Sequence, residues 1–324
     1  MSLSENTPYE SLSPSLIMDA IETIGVRCTG AVFALNSYEN RVYDVTLEDE
    51  KNIVAKFYRP HRWSMDQIEE EHQFAHDLYE AEVDVVPPMI FDGKTLFQHE
   101  EYLFCVYPKR TGQPIELSTD EDYRHMGRLV ARIHAVGAQK QFIHRLEMTP
   151  QNYGWDNIQF LEESNYIPYD LEESYLSTAK HLMDKIDRIW QNRKFTTRIH
   201  GDCHLGNILK SQDVFFVDLD DSLTGPEIQD LWMMVSGEQH ERERQFRLLI
   251  EGYNQIRDFD TSQLQLVESL RSLRMIHMVA WVAKRWQDPA FTKRFTEFTE
   301  NAYWQNHLLD LKEQMALLDE PLFV

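Results

Sequence analysis

Apolar and polar residues alternate along NRVYDVTLEDEKNIVAKFY, residues 40–58, on either side of the turn-like EDEKN. A period of two with one apolar face predicts a β-hairpin lying half-buried on a core. The spacing changes in WSMDQIEEEHQFAHDLYEA, where Ile68, Glu71, Phe74, Ala75 and Leu78 share one face at helical intervals and Ser64 stands where an N-cap belongs. VVPPMI and YLFCVYP return to strand character, so the first hundred residues predict an antiparallel sheet carrying one helix.

Pro108, Gly112 and Pro114 then punctuate PKRTGQPIE, which reads as a linker. In STDEDYRHMGRLVARIHAVG a capping Thr119 and first-turn acids precede a stripe of Met126, Leu129, Val130 and Ile133 that stops at Gly137. Helical spacing continues to the end, including LQLVESLRSLRMIHMVAWVAKRW, and is interrupted only over 198–221. The expected class is α+β and bilobal: a small antiparallel-sheet lobe over 1–107, a hinge at 108–114 and a larger, mostly helical lobe over 115–324.

Composition allows this architecture. A chain of 324 residues is long enough for two lobes on a prior of roughly 150 residues per unit. With 42% apolar and 27% charged residues, it is neither disordered nor repetitive. The formal charge of −22 repels nucleic-acid backbones and anionic membranes, so neither is an expected partner, and its ordinary role is solubility. The opening MSLSENTPYE has no basic and apolar leader pattern, and no run approaches the roughly 20 apolar residues of a membrane span. A cytoplasmic monomer is the expectation. Cys28, Cys105 and Cys203 are odd in number and widely spaced, which fits reduced thiols better than a disulfide framework or a closed zinc site.

Candidate chemistry concentrates in HGDCHLGNIL, residues 200–209, and VFFVDLDD, residues 214–221. One amide oxygen and one carboxylate, with the remaining positions left to water and phosphate oxygens, describe Mg²⁺ bound to ATP; Asn207 and Asp218 are the candidate metal ligands. Asp202 is then free to act as the catalytic base. His200, Asp202 and Asn207 meet the H-x-D-x-x-x-x-N register of the protein-kinase catalytic loop, and Asp218 stands where the later metal-binding Asp belongs. Asp, Gly and Asn also favour plain turns, but the acid after the apolar run favours chemistry. Zinc on His200, Asp202, Cys203 and His204 is disfavoured, because adjacent side chains do not easily converge on one tetrahedral ion.

HGDCHLGN, FVDLDD and GPEIQDLW resemble the aminoglycoside phosphotransferase and choline kinase branch of the protein-kinase-like fold. LNSYENRVY, IVAKFYRP with its following RW, and EEHQFA resemble more closely the stress response kinase A family of bacterial Ser/Thr protein kinases, over essentially the whole chain. The resemblance implies that Lys56 contacts the α- and β-phosphates of ATP, held by a helix carboxylate. Glu71 fits that role because it lies on the apolar face, with Glu70 as the alternative. No G-x-G-x-x-G precedes Lys56, so side-chain donors such as Ser37 would meet the phosphates; the resemblance points to Ser37 as an ATP contact, and a turn-stabilising hydroxyl is its other role. FCVYPKR matches the hinge, where backbone groups of Val106 and Tyr107 would bond adenine. Asp220 and Asp221 either assist the metal or are solvated. Asp230 matches an acid that braces the catalytic loop, and His134 reads as a hydrogen-bonded core histidine.

Two features bear on the acceptor. His204 occupies the position two after Asp202 where Ser/Thr protein kinases commonly carry Lys, and only 11 residues separate Asp218 from Asp230, too few for a peptide-docking activation segment. These features alone favour a small alcohol. The family resemblance implies instead Ser and Thr hydroxyls of proteins, the chain's own included, in a bacterial stress response. A nucleotide-binding scaffold without transfer is the non-enzyme alternative, disfavoured by the retention of Lys56, Asp202, Asn207 and Asp218 together.

Overall fold

The computed structural model describes residues 8–320, so most of the opening stretch read for leader features lies outside the described residues. In chain order the elements are α1 (Pro14–Glu22), β1 (Cys28–Ala34), β2 (Arg41–Leu47), β3 (Asn52–Phe57), α2 (Met65–Glu80), β4 (Phe97–His99), β5 (Tyr102–Pro108), β6 (Gln113–Pro114) and α3 (Asp120–Gly137). There follow α4 (Asp156–Glu163), α5 (Tyr169–Trp190), β7 (Arg198–Ile199), β8 (Ile208–Lys210), β9 (Val214–Phe216), β10 (Leu223–Thr224) and α6 (Gln229–Trp232). The chain ends through α7 (Gln239–Tyr253), α8 (Val267–Lys284), α9 (Pro289–Arg294) and α10 (Asn301–Leu317). Two compact units result. The first holds the N-terminal part to Glu116 together with Phe142–Arg145 and Leu205–Ser222; the second holds Leu117–Gln141, Leu146–His204 and the remainder from Leu223.

In the first unit five strands form an antiparallel sheet in the order β1-β2-β3-β5-β4. The alternation in β3 sends Ile53, Ala55 and Phe57 into a core with Ile17, Ala20 and Ile21 of α1. Period two therefore puts Lys56 on the other face. There its register partner Cys105 packs with Tyr58, Leu96 and Ile68 of α2. Ser64 caps α2 in a full capping box with Gln67. β6, β8 and β9 make a separate three-stranded sheet, so the expected linker contributes a short strand.

Two expectations are corrected. The first hundred residues carry a second helix, α1, whose Ser13 cap and Pro14 at the first helical position are ordinary start signals. VVPPMI is no strand: Pro87 and Pro88 have no N–H for a ladder, and the segment keeps only an isolated bridge from Val85 to Phe216.

The second unit is helical apart from the β7–β10 pair. Thr119 caps α3 with a capping box through Asp122, as the sequence predicts. Gly127 of α3 and Gly252 of α7 let these helices touch backbone to backbone: a Cβ on Gly127 would strike the Leu249 carbonyl, and one on Gly252 the Arg124 carbonyl. No helix of the described residues is long and apolar enough to cross a membrane.

Candidate active site

In the first unit, the hairpin of β8 and β9 has the register Ile208↔Phe216, which places Asn207 and Asp218 together at its open end. The Val217 N–H donates to the Asn207 carbonyl at 3.0 Å. Asp218 then leaves the strand with φ 60° and ψ 64°, a left-handed conformation that a non-glycine residue adopts at a cost of order 1–3 kcal/mol. The turn aims two acids at one cation: Lys56 Nζ lies 3.2 Å from Asp218 Oδ1 and 3.1 Å from Asp220 Oδ1. Burial opposes the charge on Lys56, but Asp220, Asp218 and Glu71 outweigh it and hold the ammonium above its usual range.

Asp220 is buried and heavily engaged. Its Oδ2 accepts from Asn40 Nδ2 at 2.9 Å and from Arg62 Nη1 at 2.6 Å. Arg62 also reaches Asp221 Oδ1 at 2.5 Å. Burial alone would raise the Asp220 carboxyl, yet Lys56, Arg62 and the Asn40 amide keep it well below the carboxylate range. Arg145 closes the turn from behind, donating to the carbonyls of Ser222 at 2.8 Å and Asp220 at 2.5 Å while its guanidinium lies 4.3 Å from the Trp63 ring.

Among the described residues the ion pairs of Lys56 run to these two acids, and the pairing with Glu71 expected from the sequence does not form. The 218–220 turn supplies carboxylates at contact distance, whereas Glu71 acts on the ammonium through space. Burial pushes the Glu71 carboxyl up to about 7, against the pull of Lys56. Beside it, burial and Lys56 push His72 down to about 3, so that ring is neutral. Glu70 is a structural anchor: its carboxylate accepts the N–H groups of Ile143, His144 and Arg145 at 2.7, 2.8 and 2.9 Å.

Ser37 sits in the turn before β2, where its hydroxyl donates to the Asn40 carbonyl at 3.0 Å. Val106 and Tyr107 lie in β5; the Val106 carbonyl accepts from the Met89 N–H at 2.7 Å, and Tyr107 is in register with Val54.

Asp202 belongs to the second unit, which ends its share of this loop at His204. Its Oδ1 accepts from Arg274 Nη1 at 2.8 Å, and Oδ2 lies 3.5 Å from His204 Nε2. Burial would raise this carboxyl, but Arg274, His204 and His200 hold it below its ordinary value. The loop is braced from below by Asp230, which is fully buried. Its oxygens accept from the N–H groups of His200 at 2.7 Å and Gly201 at 2.8 Å, and from His134 Nε2 at 3.0 Å. The other His134 nitrogen meets the Tyr253 hydroxyl at 3.0 Å, the hydrogen-bonded core histidine expected. Cys203 is buried, and desolvation raises its thiol far above the usual value, which leaves it inert.

The donors of the first unit suit a hard cation. Asp218 Oδ1 and Asp220 Oδ1 already converge on a positive charge, and the latter has no hydrogen bond of good geometry. Among the described residues, no group of three or more His, Cys, Asp or Glu side chains is placed to hold a metal ion by itself.

Residues 32–267 match the sequence profile of the phosphotransferase enzyme family. The chain is 40% identical over 313 residues to stress response kinase A of Salmonella choleraesuis (strain SC-B67), covering 97% of this chain and 95% of that one. It is 39% identical over the same length and coverage to the serine/threonine protein kinase RdoA of Salmonella typhimurium (strain LT2). Among solved structures it is similar to the amicoumacin kinase hAmiN in complex with AMP-PNP, Ca²⁺ and Ami, with TM-score 0.76 and 19% identity over 95% of this chain and 96% of that one. A microcompartment-associated aminopropanol kinase gives TM-score 0.69 at 16% identity, over 95% of this chain and 100% of that one. These likenesses show the fold, an aminoglycoside phosphotransferase-like kinase fold.

Proposed function

We propose, from the premise that this chain belongs to the phosphotransferase enzyme family and within it to the stress response kinase A family, that it transfers the γ-phosphoryl group of ATP to Ser and Thr hydroxyls of proteins, its own included. The observation that carries the reading is the hairpin end that sets Asn207 beside Asp218, with Lys56 drawn to the same acids. Asn207 and Asp218 would hold Mg²⁺, which neutralises the phosphate charge when bound. Lys56 would contact the α- and β-phosphates of ATP, and Glu71 stands nearby as the carboxylate that would steady it. Ser37 and the β5 backbone at Val106 and Tyr107 remain the candidate contacts for the phosphates and for adenine.

Asp202, held ionised by Arg274 and His204, accepts the proton of the acceptor hydroxyl. The hydroxyl oxygen bonds to the γ-phosphorus, the bond from that phosphorus to the bridging oxygen breaks, and ADP keeps the electron pair. The name of the Salmonella typhimurium relative supports protein acceptors, and that of the Salmonella choleraesuis relative supports a stress setting. A second reading, a small-alcohol kinase, is favoured by His204 and by the short span between Asp218 and Asp230.

The test is label transfer from γ-labelled ATP with Mg²⁺ to the chain itself, a generic basic protein and a panel of amino alcohols, followed by acid hydrolysis to phosphoamino acids. Phosphoserine or phosphothreonine that disappears with Asp202→Ala supports protein acceptors. Label on a small alcohol alone replaces that acceptor class, and ATP binding without transfer reduces the chain to a scaffold.

A further inference from the structure

We infer that Arg274 is a positioning residue for Asp202, supplying from α8 the cation that the catalytic loop lacks; this rests on the kinase reading above. His204, not Lys, stands two residues after Asp202. The structure brings in a substitute from 72 residues away, with the guanidinium donating to Asp202 Oδ1 at 2.8 Å. α8 holds it in place through buried Leu270, Leu273 and Ile276 on the same helix.

Both side chains stay partly open, at 34% and 25% exposure. An ion pair this exposed contributes about 0–1 kcal/mol to stability, so folding alone gives little reason for it. Function gives a better one. Fixing Oδ1 on Arg274 sets the rotation of the carboxylate and hence the direction of Oδ2, the atom that would take the acceptor proton. Of the five N–H donors on this guanidinium, one has a partner among the described residues, which leaves the fork able to meet anionic oxygens as charge develops.

The experiment measures initial rates of transfer against ATP concentration for wild type, Arg274→Ala, Arg274→Gln and Arg274→Lys, with urea midpoints recorded for each. Arg274→Gln keeps the length and a donor but loses the charge. The expected result is a kcat lower by about thirtyfold in Ala and Gln, with KM for ATP within twofold, as befits a group acting through the base. Lys restores part of the rate, and millimolar guanidinium restores part of it in Arg274→Ala without affecting wild type. A kcat within twofold of wild type in Arg274→Gln overturns the inference, as does a loss that follows the urea midpoint and resists guanidinium. A wild-type chain that transfers nothing overturns the kinase reading itself, whereas a wild type that transfers with unaffected variants overturns this inference alone.

Discussion

Asp230→Asn keeps the size and shape of the side chain and changes one oxygen into an NH₂ group. Asp230 Oδ2 serves two donors, the His200 N–H at 2.7 Å and His134 Nε2 at 3.0 Å, while Oδ1 serves the Gly201 N–H at 2.8 Å. The amide is least harmful with its NH₂ facing Gly201, but that still sets donor against donor in a site with no exposure. The lost bond to a charged acceptor is worth about 1.5–3 kcal/mol, and a buried N–H without an acceptor costs about 1–3 kcal/mol more. A loss of about 3–5 kcal/mol is expected, in the range for breaking a buried charged network. Gly201 makes its turn at φ 84°, a conformation open to glycine, within reach of this carboxylate, so the loop carrying Asp202 should loosen as well. Urea unfolding followed by tryptophan fluorescence measures the first effect, and kcat for transfer measures the second. A stability loss below about 1 kcal/mol would refute the claim that Asp230 braces the loop.

Glu71→Gln should change the pH dependence of stability. The folded carboxyl is raised by burial to about 7, so its contribution is complete below the unfolded value and is lost as pH rises toward 7. At about 1.36 kcal/mol per unit, wild type should lose about 2 kcal/mol relative to Glu71→Gln between pH 5.5 and 8; parallel urea midpoints across that range would count against a buried titrating Glu71. Gly127→Ala drives a methyl into the Leu249 carbonyl of α7 and should cost at least about 2 kcal/mol, read from the urea midpoint; a neutral result would mean that the two helices separate freely.

Much of the frame is legible in local pattern. The alternation around Lys56 sets it on the face away from the α1 core, and the capping residues Ser64 and Thr119 mark where α2 and α3 begin. α1 is signalled by Ser13 and Pro14 but is too short for periodicity to carry. VVPPMI shows the opposite failure, since apolar content suggests a strand that its two prolines forbid. The residues surrounding the chemistry are read least well. Arg62 meets Asp220 across 158 positions, Asn40 meets it across 180, and Arg274 meets Asp202 across 72, and no local spacing encodes such encounters. The acids of VDLDD are visible in the sequence, but their claim on Lys56 in place of Glu71 depends on the left-handed turn at Asp218.

The most direct test of the account is the rate of phosphoryl transfer by Asp202→Asn under saturating Mg²⁺ and ATP, with nucleotide binding measured alongside. Removing the base while keeping its shape should lower kcat by about 10²–10⁴-fold and leave ATP affinity within a few-fold. An Asp202→Asn chain that transfers at the wild-type rate would contradict the assignment of Asp202 and the mechanism built on it.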